Sequence, residues 1–258
     1  NNQSKKKIKV YLFHPYSGKG GADLSISRLI NGLDDKKYEI DFLSLNLPLI
    51  KKKIKKKIKY FRIKSSRTLF SLPKIINHIN LDKKQYLKRI FISNQYFANI
   101  LSVIFLKKIK DLKIVLLERN HIDEFKYYKG YIDFIKKKII KILMISFYSK
   151  ADKIIGNSYD LSKSLQKLVK TNIHTIYNPC YFPSTSQKKK LNNNKHINIL
   201  NVARLELQKD QLTLLKAINN LKSKIKFKLN IVGNGSQLLK IQKYIENNNL
   251  KGLVKLHT

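Results

Sequence analysis

The chain has 258 residues, room for one large domain or two of ordinary size, and 43% of them are hydrophobic, which excludes a disordered chain. Lys and Arg total 54 against 16 Asp and Glu, a net charge of +38 that would attract any polyanion, whether nucleic acid, an anionic bilayer or a phosphorylated substrate. The single cysteine, Cys180, excludes an internal disulfide and fits a reducing compartment, and no run of about 18 uncharged apolar residues is available to cross a membrane.

Lys, Ile and Asn are over-used along the whole chain, so the charge points to function less strongly than its size suggests. The start, NNQSKKKIKVYLF, is basic but runs into a strand pattern rather than a signal peptide. The first residue is Asn1, the only methionine is Met144, and the last residues read as a strand, so a piece of a longer chain is expected.

In chain order, Ile8–Phe13 reads as a short apolar strand. A Gly-rich turn, Ser17 to Asp23, leads into a helical pattern from Leu24 to Leu33. Strand, glycine turn and helix make a Rossmann-like opening, although neither G-x-G-x-x-G nor G-K-[ST] is present. Tyr38–Leu45 alternates as a second strand. In the lysine run that follows, Ile50, Ile54, Ile58 and Phe61 stand four, four and three apart. If 50–61 is helical, that narrow stripe suits a helix lying on an anionic membrane; a solvated surface helix or a loop is the alternative.

Arg89–Ser93 reads as a strand and 94–106 as a helix. Ile114–Leu117 is the next strand, running into Glu118, Arg119, Asn120 and His121, polar groups at a strand's carboxyl end and so a candidate site. A basic, apolar helix is expected over 132–149, a strand within 151–158, and a helix over 161–169 with Ser158 as its N-cap. The polar stretch 181–195 reads as a linker.

The most informative stretch is INILNVARLELQKDQLTLLK, 197–216. It reads as a buried strand, a basic loop with Arg204 and Lys209, and an amphipathic helix opening at Asp210. Two cations beside a helix N-terminus suit a diphosphate. A second strand, 227–232, turns through Gly233 and Gly235 into another helix.

N-V-A-R-L-x-x-Q-K-D, then L-L-K-A, L-N-I-V-G-N-G and L-V-K-L, in that order, resemble the C-terminal domain of retaining family-4 glycosyltransferases of the GT-B fold. The resemblance implies that Arg204 and Lys209 hold the diphosphate of a nucleotide-sugar, with Gly233 and Gly235 bordering the nucleotide. It extends to the Gly-Gly-Ala-Asp turn, where Gly20 and Gly21 would adjoin the donor phosphates and Asp23, in place of the usual Glu, would lie on the acceptor side. A plain packing turn is the competing reading of that element. By the same resemblance Glu118, Arg119 and Asn120 fall on the acceptor side and His121 contacts the sugar near the reacting carbon. Asn178-Pro179 matches the I-x-N-P that ends the first domain.

The expected architecture is therefore α/β and GT-B-like: a Rossmann-like, acceptor-side domain over 5–182, a linker over 183–195, and the start of a nucleotide-sugar-binding Rossmann-like domain over 196–258, each on a parallel sheet. The second is expected to be incomplete, because the family's E-x7-E element does not occur before residue 258; this chain alone is then expected to show little activity. The implied function is sugar transfer with retention, in the making of bacterial surface glycans or lipopolysaccharide. The expected partners are a nucleotide-sugar and a glycan or lipid-linked acceptor, with neither metal nor cofactor, at a cytoplasmic location that is peripheral on the inner face of the membrane through 50–61. A polyanion-binding or membrane-surface protein without catalysis is the rival; nucleic acid is disfavoured because no recognised motif or aromatic platform is present.

Overall fold

The computed structural model describes residues 6–18, 20–46, 49–82, 85–128, 130–179 and 197–258. The linker expected over 183–195 and Cys180 lie outside the described residues. The chain divides into two compact units, Asn1–Phe182 and Pro183–Thr258.

The first unit holds seven strands: β1 Ile8–Phe13, β2 Tyr38–Ser44, β3 Lys59–Arg62, β4 Lys88–Asn94, β5 Leu112–Glu118, β6 Lys153–Gly156 and β7 His174–Thr175. All pair in parallel, in the order β3-β2-β1-β4-β5-β6-β7. Its helices are α1 Gly21–Gly32, α2 Thr68–Leu81, α3 Tyr96–Leu106, α4 Tyr131–Phe147 and α5 Tyr159–Val169. β1 is buried almost throughout because both faces of the sheet are covered, and side chains alternate between them. Tyr11 and Phe13 join Leu72 and Ile75 of α2, whereas Val10 and Leu12 join Ile26 and Ile30 of α1. The strand order reverses between β1 and β4, where such sheets open a crevice at their carboxyl ends.

The segment 50–61 departs from expectation. Leu49–Lys53 is a single 3₁₀ turn, and Lys59–Arg62 is the edge strand β3, paired with β2. Ile50 is 1% exposed, and Ile54 and Ile58 pack beside it on the Val10–Phe42 cluster. The isoleucines thus complete the core over β1 and β2, and no apolar stripe is left there for a membrane. The spacing fitted a helix, but a turn and a loop carry the isoleucines inward to the core, and only 59–62 pairs with β2.

The second unit consists of β8 Ile197–Val202, α6 Gln211–Leu221, β9 Phe227–Val232, α7 Leu238–Asn247 and β10 Val254–His257. The parallel sheet runs β10-β9-β8. Leu215 and Ile218 of α6 and Ile241 and Ile245 of α7 close over Phe227, Leu229 and Ile231. β8 was expected to be buried, yet Leu200 and Val202 are each 67% exposed. The two helices cover one face of the sheet, and among the described residues nothing covers the other. No helix among the described residues is long and apolar enough to cross a membrane.

Candidate functional site

In the first unit, polar side chains from three strand ends meet at the reversal point. His14 follows β1, Asn94 ends β4, and Arg119 follows β5. Asn94 donates from Nδ2 to His14 Nδ1 at 2.8 Å and accepts at Oδ1 from Arg119 Nε at 2.7 Å. With Nδ1 accepting, the imidazole carries its proton on Nε2, 3.2 Å from Asp23 Oδ1. His14 is 1% exposed, and burial holds its pKa below the ordinary value despite Asp23. Arg119 also donates to Asn178 Oδ1 at 2.9 Å, which accepts from Ser25 Oγ of α1 at 2.8 Å.

Asp23 shapes the glycine turn. Its carboxylate accepts from the N–H groups of Gly18 at 2.7 Å and Gly20 at 3.1 Å, and Gly20 caps α1. Burial works to raise its pKa, but the Gly18 N–H, His14 and the Gly20 N–H outweigh it, and the carboxyl sits below its usual range. Asp23, expected on the acceptor side, is thus buried and turned onto its own loop. A Cβ built on Gly21 would meet nothing within 4 Å, and one on Gly20 only the Asp23 carboxylate at 3.5 Å. The surrounding chain therefore does not require a glycine at 21.

Glu118 is a correction. Expected to face an acceptor, it ends β5 only 3% exposed, accepts from Tyr148 Oη at 2.6 Å, and also contacts Asn99 Nδ2 at 3.3 Å. Burial pushes its carboxyl up to about 7, beyond what Tyr148, the Arg119 N–H and Asn99 draw back. Side chains alternate across a strand, so Glu118 points into the core beneath the site. Asn120 is exposed. His121 accepts at Nδ1 from the Asp123 N–H at 3.2 Å, capping a 3₁₀ turn, and its Nε2 lies 3.0 Å from Asp160 Oδ2. His121 is thus two residues from Arg119 but outside the hydrogen-bonded chain.

In the second unit, β8 passes into the loop of Arg204 and Lys209, which feeds α6. Leu205 is fully buried and anchors the loop, while Arg204 and Lys209 are exposed, neither side chain tied by a hydrogen bond or ion pair among the described residues. Asp210 takes a left-handed conformation, φ 47°, and its carboxylate caps α6 at the Thr213 N–H, 3.3 Å away. Gly233 and Gly235 lie directly under this loop. A Cβ on Gly233 would fall 1.9 Å from Ala203 O, and one on Gly235 2.4 Å from Leu205 O. The Leu205 N–H donates to Asn234 O at 2.9 Å, and Leu205 O accepts from the Gln237 N–H at 2.8 Å. Within the unit these glycines seat the Arg204 loop. Glu206, which the sequence reading passed over, accepts from Ser236 Oγ at 2.7 Å and ties the two turns together.

Residues 183–258 match the family described as glycosyl transferases group 1. No curated protein matches the chain significantly by sequence. Among solved structures, the chain is similar to the apo form of the lipopolysaccharide outer core galactosyltransferase WaaB, at 18% identity and a TM-score of 0.69, over 96% of this chain and 67% of that one. It is similar to HepE of Anabaena in complex with UDP and glucose, at 16% identity and 0.68, over 96% and 68%. It also resembles a TarM mutant of S. aureus in complex with fondaparinux, alpha-GlcNAc-glycerol and UDP, at 14% and 0.61, over 98% and 78%.

The fold is that of the GT-B glycosyltransferases. On this GT-B framework the family match falls on the unit that carries Arg204, Lys209 and the glycine seat. Sequence reasoning passed over His14 and Asn94, although the strand-end argument that selected His121 applies equally to both. Of the acceptor-side residues expected, only Arg119 and Asp23 belong to the hydrogen-bonded chain.

Proposed function

We propose that the protein transfers a sugar from a nucleoside diphosphate to a hydroxyl of a glycan or lipid-linked acceptor, with retention at the anomeric carbon, in the making of bacterial surface glycans or lipopolysaccharide. The observation that carries this reading is the family match over the unit in which Arg204 and Lys209 stand exposed on a loop feeding α6. The UDP held by the HepE and TarM structures supports a uridine nucleotide as the first donor to try.

In the reaction the bond from the anomeric carbon to the diphosphate breaks, and the electron pair leaves with the diphosphate. The acceptor oxygen forms the new bond on the same face, and its proton passes to the departing phosphate oxygen. Arg204, Lys209 and the N-terminus of α6 stabilise the charge that develops, a role that calls for no metal. Gly20 and Gly21 let backbone N–H groups approach the phosphates. Arg119 and Asn120 address the acceptor, and His121 contacts the sugar near the reacting carbon. The work is done in the cytoplasm, at the inner face of the membrane.

Calorimetric titration with UDP in EDTA tests the donor site. Binding is expected, and Arg204→Ala or Lys209→Ala should weaken it by about 10²-fold, a few kcal/mol of charge-assisted hydrogen bonding, without moving Tm. Salt-dependent binding of RNA with no response to any nucleotide or nucleotide-sugar would instead favour a polyanion-binding protein.

A further inference from the structure

We propose that the acceptor of the transfer described above is a polyanionic glycan. Its charged chain lies across the carboxyl ends of the first unit's sheet, from Lys51, Lys52, Lys64 and Arg67 on one side to Arg119 on the other. This deepens the transferase reading and rests on it.

Lys51 and Lys52 stand on the 3₁₀ turn that follows β2, and Lys64 and Arg67 on the segment joining β3 to α2. All four are exposed, and among the described residues none is paired with a carboxylate. The turn is fastened to the candidate site. Asn46 accepts from the Ser17 N–H at 2.8 Å and donates to Ser17 O at 2.6 Å, and the Ile50 N–H donates to Ser17 Oγ at 3.4 Å. Ser17 opens the glycine turn, so Lys51 and Lys52 follow a backbone held at the lip of the crevice. Ile50 and Ile63, each 1% exposed, turn into the core and leave the neighbouring cations to solvent.

The two ends of the sheet differ in acids. The loops entering β2, β4, β5 and β6 carry Asp34 and Asp35, Asp82, Asp111 and Asp152. At those amino ends lysines are paired: Lys56 lies 3.1 Å from Asp35, and Lys107 2.9 Å from Asp152. The segments leaving β2, β3 and β4, residues 45–58, 63–67 and 95, contain no Asp or Glu. Asp23, after β1, is turned onto its own loop, and Glu118, at the end of β5, points into the core. Over-use of lysine along the chain does not produce this asymmetry.

The partly buried Arg119 stands beyond the reversal point. Two neutral amide oxygens, Asn94 Oδ1 and Asn178 Oδ1, hold its guanidinium, and among the described residues no carboxylate pairs with it. A guanidinium withdrawn from water favours an anionic partner, here one brought by the ligand. In the order β3-β2-β1-β4-β5 the outer strands are separated by roughly 19 Å, at about 4.8 Å per strand. A single phosphate or carboxylate cannot meet cations at both ends; a chain of several anionic units can. A bilayer would call for apolar side chains among the cations, and the isoleucines beside them face inward.

The test is titration calorimetry with fondaparinux, a short sulfated oligosaccharide, and with neutral dextran. Fondaparinux is expected to bind and dextran not. Replacing Lys51, Lys52, Lys64 and Arg67 together by Gln should weaken fondaparinux binding by about tenfold or more, and Arg119→Gln alone by about tenfold. Replacing Lys36, Lys37, Lys55 and Lys57 by Gln removes the same charge from the amino ends of β2 and β3 and should change binding by less than about threefold. Circular dichroism confirms that the variants fold. Equal losses in the two fourfold variants would mean that net charge alone attracts the ligand and would overturn the proposal, as would an unchanged affinity in Arg119→Gln. Tighter binding of RNA or of phosphatidylglycerol vesicles, lost in the first variant and kept in the second, would assign these cations to another partner and overturn it equally. UDP titration of the same samples separates the two readings. UDP binding without a fondaparinux response sinks only the polyanionic acceptor, whereas fondaparinux binding without UDP binding sinks the transferase and with it the bound chain's role as acceptor.

Discussion

Asn94 joins His14 to Arg119, donating to the imidazole Nδ1 at 2.8 Å and accepting from the guanidinium Nε at 2.7 Å. Through His14 Nε2 the chain reaches Asp23, and through Asp23 the N–H groups of Gly18 and Gly20. The arginine on the β5 loop and the glycine turn after β1 are therefore set by one hydrogen-bonded series.

That series fixes the state of His14. Burial disfavours the imidazolium, and the Asn94 N–H requires a lone pair on Nδ1. In ¹⁵N NMR, His14 is expected to be neutral at pH 7 with its proton on Nε2. Asn94→Asp replaces the donor with an acceptor, which should raise the His14 pKa and protonate both nitrogens. An unchanged tautomer in that variant would show that the series is not what holds the ring.

Glu118 gives a pH dependence with a definite sign. Its pKa is raised by burial from 4.5 to about 7, so the folded state holds the proton more tightly than the unfolded state. The contribution is full below about 4.5 and is lost as pH rises through about 7, roughly 3 kcal/mol in all. Glu118→Gln, which keeps the contact with Tyr148, should remove this decline. Urea midpoints of the two proteins between pH 4 and 8 should therefore converge at the acid end and separate at the alkaline end.

The glycines divide into two kinds. Gly233 has φ 152°, and a Cβ there would strike Ala203 O at 1.9 Å, so Gly233→Ala should cost about 2–4 kcal/mol and displace the Arg204 loop. Gly21 opens α1 with free space where a Cβ would stand. Gly21→Ala should leave Tm unchanged or slightly raised, since alanine is the better helix former. Any loss of UDP binding in Gly21→Ala would then report ligand approach, whereas the loss in Gly233→Ala would come with a fall in Tm.

Lys9 is fully buried at the start of β1, 2.7 Å from Asp41, 3.0 Å from Glu39 and 3.4 Å from Asp82. Burial acts to lower its pKa, but Asp41 and Glu39 overcome that and raise it. His78 also holds Asp41, at 2.8 Å. Lys9→Met should destabilise by about 3–5 kcal/mol, because it leaves the buried Asp41 and the partly buried Glu39 and Asp82 without their lysine. Thermal melts check the size, and Lys9→Arg should recover part of the loss.

The local signals were legible in sequence. Ile8–Phe13 reads as a strand from its own apolar run, and the Arg204 loop can be read because strand, loop and cap follow one another within fifteen residues. What these signals could not decide is pairing. The isoleucines at 50, 54 and 58 satisfy a helical period, and only the core above β2 and its open edge make the segment a turn and a loop that lead into β3. Conversely, the exposed face of α4 carries the same residue types as its buried face, so the tertiary structure alone shows which side is covered. The His14–Asn94 bond spans 80 positions and exists because β1 and β4 are neighbours at the reversal of strand order. Gly233 looks like a nucleotide-binding glycine in sequence, and the structure adds a carbonyl passing 1.9 Å from where its Cβ would be. Periodicity and capping are properties of neighbouring residues and survive in a string of letters; burial, strand neighbours and steric seats arise only when distant segments are brought into contact.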